Sequence, residues 1–157
     1  MKRMPVLFLG HGSPMNITQE NAFTAALSSF GRSLQKPDAV LMVSAHWMAR
    51  STMLTAQERP PQIYDFYGFP EELYRVNYTP RASLELSGKT SALLGGAPLS
   101  SDWGIDHGAW SVLMRLFPDA DVPVTQLSLD MTKGLDYHYE TGRKLAALRD
   151  ENILVIG

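Results

Sequence analysis

The 157 residues carry a formal net charge of −2, and they are 45% hydrophobic and 19% charged. This composition is typical of one globular domain, residues 1–157, and it excludes a disordered chain and a basic nucleic-acid-binding protein. Because the chain has no cysteine, disulfides, thiolate catalysis and iron–sulfur ligation are excluded, and any transition metal must be held by nitrogen and oxygen atoms.

The same composition favours a small-molecule partner and no membrane partner. No apolar run approaches the roughly 20 residues that span a bilayer. Residues 1–10 contain a short apolar run, but polar residues follow at once, unlike a secretory signal peptide. We therefore expect a cytoplasmic protein.

The first third of the chain predicts a strand, a helix and a strand in that order. Residues 5–9 are a short apolar run closed by Gly10, as expected of a strand buried on both faces. Apolar residues between 18 and 34 recur at spacings of three and four, which predicts a helix that ends before Pro37. Residues 39–45 are a second buried strand, so a parallel sheet with a crossover helix is indicated.

The remainder continues the alternation of strands and helices. Residues 57–80 show no helical periodicity and are rich in proline, glycine and aromatic residues, which is typical either of a binding loop or of a segment packed by its aromatics. The element order predicts an α/β fold, with a mostly parallel or mixed central sheet flanked by helices. The further strands are predicted at 51–56, 122–129 and 153–156, and the further helices at 82–94, 110–117 and 135–148.

Three of the four histidines lie in glycine-flanked turns or at a predicted strand end. His11 follows the first strand, His46 ends the second, and His107 comes just ahead of a predicted helix. Ligands of open α/β sheets gather beyond the carboxyl ends of the strands. If the first two strands are neighbours, the imidazoles of His11 and His46 can share one metal ion, although a single histidine is more often structural.

Two residues near these histidines have mainly structural interpretations. His138 lies on a predicted helix without a glycine neighbour, and we expect a structural or surface role for it. Asp106 is expected to cap the helix that follows it, and the alternative is a hydrogen bond to a metal-binding histidine.

Five segments, taken together and in order, resemble the class III extradiol ring-cleavage dioxygenases, the LigB-like family, and within it the 4,5-DOPA type. HGSP, SAHW and DHGAW in this order are specific, whereas any one of them alone is a weak signal. The segments cover essentially the whole chain: LGHGSPMN at 9–16, VSAHW at 43–47, PPQIYDFYGFPEELYRVNY at 60–78, GIDHGAW at 104–110 and GRKLAALRDENILVIG at 142–157.

The resemblance implies a mononuclear non-haem metal centre with one Fe(II) or Zn(II) ion per chain, held by His11 and His46. It implies that His107 is a catalytic residue close to the substrate, and that the substrates are dioxygen and a catechol such as DOPA. We also predict that Ser13 and Tyr64 contact the substrate, although core packing is the commoner role of such a tyrosine.

The family also has an acid/base histidine and a third metal ligand, and the resemblance implies that both would follow Gly157. Residues 153–157 read as a central buried strand, so we expect an N-terminal portion in which neither the site nor the fold is complete. Two ligands predict weak metal binding unless His107, water or a neighbouring chain completes the coordination. Exposed core residues would favour a homo-oligomer.

Two other functions stay open at this point. Two histidines and an open coordination position also suit a zinc-dependent hydrolase, although the chain has no HExxH pattern. The second is a metal-binding protein of the same fold without catalysis, which the missing site residues favour.

Overall fold

The fold is built on a six-stranded sheet with two helices on each face. A computed structural model describes residues 3–157, and Met1 and Lys2 of the predicted unit lie outside the described residues. The elements are β1 (Val6–Leu7), α1 (Ala22–Ser33), β2 (Ala39–Ala49), β3 (Leu54–Thr55), α2 (Leu84–Leu93), β4 (Leu99–Ser100), α3 (His107–Leu116), β5 (Val124–Asp130), α4 (Leu135–Leu145) and β6 (Ile153–Ile156). Short 3-10 turns lie at Pro14–Ile17, Glu71–Arg75 and Ala146–Glu151. The predicted α/β class is confirmed.

The strand order is β1-β6-β2-β5-β3-β4. The pairs are parallel except where β3 meets β5, through Leu54 and Leu127, so the sheet is mixed. The central position predicted for residues 153–156 is confirmed, because β6 pairs with both β1 and β2. For the same reason, the expectation that the first two strands are neighbours is wrong.

The first strand also differs from its prediction. Only two residues of β1 pair with β6, at one edge of the sheet. Val6 is 54% exposed and Phe8 is 92% exposed, so this apolar run is not buried on both faces. An apolar run predicts burial only where another layer covers both sides of the strand. Self-association through such exposed residues stays a prediction.

Alternate side chains of β2 enter the two cores that cover the faces of the sheet. Val40 and Met42 pack with residues of α1 and α3, whereas Leu41 packs with Leu86 of α2 and Leu145 of α4. This alternation is the ordinary consequence of the two-residue repeat of a strand. Among residues 3–157, no helix is long and apolar enough to cross a membrane.

Capping residues account for the helix boundaries that the apolar pattern misplaced. The predicted helix 18–34 begins only at Ala22, because Asn21 accepts from the Thr24 N–H at 3.0 Å and Thr24 Oγ1 accepts from the Asn21 N–H at 2.9 Å. Helix α3 begins at His107, three residues before the predicted start at Trp110. Hydrophobic periodicity reports the buried face of a helix, whereas the cap decides where the helix begins.

Arg115 of α3 hydrogen-bonds to residues 16–19, in the loop that follows the first strand. Its guanidinium Nη2 donates to the carbonyls of residues 16, 17 and 19, each at 3.0 Å, and its side chain is only 13% exposed. These residues lie just after the turn that contains His11. Arg115 therefore connects that turn to the helix that begins with His107.

We predict that Arg115→Met lowers the free energy of unfolding by about 2 kcal/mol, because three carbonyls lose a charged donor. Arg143→Met is the matched control, since Arg143 is 66% exposed and pairs with Glu140 on the surface of α4. The control should change stability by less than about 0.5 kcal/mol. Urea unfolding followed by circular dichroism measures both variants, and equal losses would contradict the role of Arg115.

Candidate metal centre

Three histidines from three separate segments meet beside the C-terminal part of β2. His11 Nε2 lies 3.1 Å from His46 Nε2. The ring of His107 is 4.4 Å from that of His46 and 5.2 Å from that of His11, measured between centroids. One nitrogen from each ring lies within 4.8 Å of the others. His138 lies elsewhere, where its Nε2 is 3.1 Å from the Asp130 carbonyl, in keeping with a structural role.

His46 reaches this cluster from an irregular part of β2. The strand continues to Ala49, so the prediction that it ends at His46 is wrong. Val43 is opposite Leu127 of β5, but Met48 is opposite Leu129, so five steps along β2 match two along β5. Residues 44–47 therefore leave the regular ladder, as in a β-bulge, and this irregularity carries His46 to the site.

A glycine turn presents His11. Gly12 has a φ of +67°, and a Cβ at this position would lie 2.7 Å from the side-chain nitrogen of Asn16. That nitrogen donates to the His11 carbonyl at 3.3 Å, which closes the turn. Ser13 begins the following 3-10 turn, and its hydroxyl accepts from the Met15 N–H at 3.2 Å. The substrate contact predicted for Ser13 stays a prediction.

His107 is the first residue of α3 rather than a residue ahead of it. The predicted cap is confirmed, because Asp106 Oδ1 accepts from the Ala109 N–H at 3.1 Å. The same carboxylate is fully buried and also accepts from Ser44 Oγ at 2.6 Å and from Gln126 Nε2 at 2.7 Å. Asp106 thus fixes the N-terminus of α3 against β2 and β5.

Asp65 is the site residue that sequence reasoning missed. Its Oδ2 lies 2.5 Å from Nδ1 of His46. Its Oδ1 lies 2.8 Å from Nδ1 of His107 and accepts from the backbone N–H of the same residue, also at 2.8 Å. The available signal was that Asp65 is the only acidic residue in the segment PPQIYDFYGFP at 60–70.

Burial and hydrogen bonding set the protonation of this cluster. Burial acts to raise the pKa of Asp65, but hydrogen bonds from His107 and His46 outweigh it and hold that pKa well below its usual range. Burial, followed by the charges of His46 and His107, lowers the pKa of His11. An ionised Asp65 and a neutral His11 are therefore the forms expected near neutral pH, and neutral imidazole is the form that binds a metal.

The facing nitrogens fit a divalent transition metal. Two nitrogen ligands about 2.1 Å from one ion are about 3.0 Å apart in an octahedral site and about 3.4 Å apart in a tetrahedral one. The two Nε2 atoms of His11 and His46 are 3.1 Å apart. Nδ1 of His46 faces a carboxylate, so in the neutral ring the lone pair lies on Nε2, where it can bind a cation.

Comparison with known proteins identifies the family. Residues 5–157 match the family described as the catalytic LigB subunit of aromatic ring-opening dioxygenase. The chain belongs to this family. The family resemblance predicted from the motifs is thereby confirmed.

Several relatives are similar over nearly the whole chain. The protein named 4,5-DOPA dioxygenase extradiol from Escherichia coli K12 is 49% identical, over 98% of this chain and 58% of its own length. A protein of the same name from Beta vulgaris is 38% identical, over 96% of this chain and 59% of its own length. The crystal structure of an uncharacterized Escherichia coli K12 protein matches with a TM-score of 0.81 at 43% identity, over 98% of this chain and 59% of that one. The chain therefore spans 58–59% of the length of these relatives.

Aromatic side chains form one wall of the site in this LigB-family chain. The buried Phe66 ring lies edge-on to His107, with 5.1 Å between centroids. Tyr64 donates its hydroxyl hydrogen to the Val76 carbonyl at 2.6 Å, and its ring is 5.7 Å from that of Trp110. Tyr64 therefore has the packing role that is common for aromatics, and the substrate contact predicted for it stays a prediction.

Gly108 allows the close approach of α3 to His46, and its replacement tests this packing. A Cβ at Gly108 would lie 3.0 Å from His46 Cδ2 and 3.0 Å from Ser44 Oγ. We predict that Gly108→Ala displaces the His46 ring and lowers stability by about 1–3 kcal/mol. Chemical unfolding measures the stability, and the NMR resonances of the His46 ring report its displacement.

Gly88→Ala is the matched control for this substitution. Gly88 lies within α2, and a Cβ there meets nothing within 4 Å. The control should stabilise the protein by up to about 1 kcal/mol, because alanine is the better helix former. Unchanged stability and unchanged His46 resonances in Gly108→Ala would contradict the prediction.

Proposed function

We propose that this chain carries the metal site of an extradiol catechol dioxygenase, in which His11 and His46 bind one divalent metal ion. The observation that carries the proposal is the 3.1 Å approach of their Nε2 atoms in a chain of the LigB family. Relatives from Escherichia coli and Beta vulgaris are named 4,5-DOPA dioxygenase extradiol. These names support dioxygen and a catechol such as DOPA as the substrates.

The redox chemistry of the proposed reaction, and not the donor set, favours iron as the ion for turnover. A divalent iron would supply open coordination positions, Lewis acidity and the electron transfer that ring opening by dioxygen requires. Zinc binds to the same kind of nitrogens but has no redox chemistry. The contribution of His11 and His46 is to offer two neutral nitrogens at a fixed separation, which leaves the other positions for substrates.

His107 is the residue that we assign to the substrate. Its Nδ1 and its backbone N–H both face Asp65, which leaves Nε2 to accept a hydrogen bond or a proton from a catechol hydroxyl. The residue is 5% exposed and lies against Phe66, and a hydrogen bond is stronger in such dry surroundings. Substrate contacts by Ser13 and Tyr64, a cytoplasmic location and a homo-oligomer are further parts of this proposal.

Metal binding is the first test. We expect the protein to bind one Zn(II) or Fe(II) ion per chain, and His11→Ala or His46→Ala to weaken binding by more than about 100-fold, beyond the loss typical of outer-shell partners. His138→Ala is the matched control, because His138 contacts the Asp130 carbonyl away from the cluster. Titration calorimetry and elemental analysis measure the metal. Full retention of metal by either site variant would refute the site.

Ring cleavage is the second test. Loaded anaerobically with Fe(II), the full-length protein is expected to consume oxygen with DOPA and to form a yellow ring-opened product. His107→Gln should keep the metal but lower kcat, because the substrate loses a proton acceptor. An oxygen electrode and absorbance spectra follow the reaction, and the zinc-loaded protein is the control without redox chemistry. Bound iron without oxygen uptake on any catechol would favour a hydrolase or a non-catalytic metal-binding protein.

A further inference from the structure

Asp65 makes three hydrogen bonds, and they divide its two oxygens between two histidines. Oδ2 faces only Nδ1 of His46, at 2.5 Å. Oδ1 faces both Nδ1 and the backbone N–H of His107, each at 2.8 Å. A carboxylate only accepts hydrogen bonds, so both imidazoles present a protonated Nδ1 to it.

We infer that Asp65 is a positioning residue that selects the tautomer of His46 and His107 together. With the proton on Nδ1, each ring has its lone pair on Nε2. For His46 this is the nitrogen that faces His11, and for His107 it is the nitrogen left for the substrate. The inference rests on the proposed function only where it treats His46 Nε2 as a metal ligand and His107 Nε2 as a substrate contact. The hydrogen-bond geometry stands without those assignments.

The backbone N–H of His107 decides which way an amide at position 65 would be oriented. An imidazole can change tautomer, but a backbone N–H can only donate. An asparagine at position 65 would therefore keep its single carbonyl oxygen toward His107, which offers two donors. Its NH₂ group would then face Nδ1 of His46 and force that nitrogen to accept. His46 would carry its proton on Nε2 and would lose the lone pair that a metal requires.

The segment around Asp65 is held in place by contacts that do not involve its carboxylate. The backbone N–H of Ile63 donates to the Ile105 carbonyl, and the N–H of Ile105 donates to the Pro61 carbonyl, both at 2.8 Å. The indole N–H of Trp110 donates to the Ile63 carbonyl, also at 2.8 Å. A substitution at Asp65 therefore changes the partners of the imidazoles and leaves the path of the backbone intact.

The tautomers are measured directly by long-range ¹H–¹⁵N NMR of the metal-free protein near pH 8, above the ordinary pKa of a free imidazole. In the wild type, we expect both His46 and His107 to be protonated on Nδ1. Asp65→Asn is expected to move the proton of His46 to Nε2 and to leave His107 unchanged, so His107 serves as an internal reference. Asp65→Glu, which keeps two accepting oxygens, should restore the Nδ1 proton on His46. Wild-type tautomers in Asp65→Asn would overturn the inference.

Metal affinity is the second measurement, with Co(II) and Zn(II) as the probes in competition with a chelator of known affinity. Asp65→Asn is expected to weaken binding about 10–100-fold, as is typical when the outer partner of a metal-binding histidine is lost. Asp102→Asn removes one carboxylate from an exposed residue outside the cluster and should not change the affinity. Unchanged affinity in Asp65→Asn would overturn the inference. If the wild type binds no metal, the proposed function fails, and the NMR result still decides the role of Asp65.

Discussion

The buried carboxylate of Asp106 is the interaction on which the site depends. Burying a charge costs several kcal/mol unless hydrogen bonds compensate. Here Ser44, Gln126 and the Ala109 backbone N–H all donate to it, so β2, β5 and α3 are joined at one point. His107 directly follows Asp106. The hydrogen bonds of Asp106 therefore fix the position of the first turn of α3, and with it the Cα from which the His107 side chain extends. The same junction places α3 beside the irregular part of β2 that contains His46.

Asp106 and Asp65 thus have different roles in the histidine cluster. Asp106 has no exposed surface and holds elements of the fold together, whereas Asp65 has a side chain that is 20% exposed and bonds to the imidazoles themselves. The divided roles have a physical basis. A buried carboxylate keeps its hydrogen bonds free of competition from water, which suits a contact that holds elements of the fold together.

Sequence patterns predicted most of the elements, because apolar periodicity reports burial. The strand at 153–156 has its predicted bounds, and the helix predicted at 82–94 appears as α2 at Leu84–Leu93. The apolar pattern failed where a capping side chain sets the first residue of a helix. It also failed where a strand at the edge of the sheet is covered on one side only. Asn21 shortened the predicted helix at 18–34. The apolar run at 5–9 became an edge strand buried on one side only, because Leu7 and Leu9 pack against the core whereas Val6 and Phe8 are exposed. Neither effect is visible in the spacing of apolar residues.

The sequence by itself determined the family and the elements, nitrogen and oxygen, that could hold a transition metal. Ordered motifs and the absence of cysteine were sufficient for that, because they depend only on residue types and their order. Tertiary structure alone decided how the histidines meet. β6 separates the two strands that were expected to be neighbours, and the register shift after Val43 moves His46 to the site. It also decided the role of Asp65, because His46 and His107 are 19 and 42 residues away along the chain, and contacts between such distant residues form only when the sheet and α3 pack together.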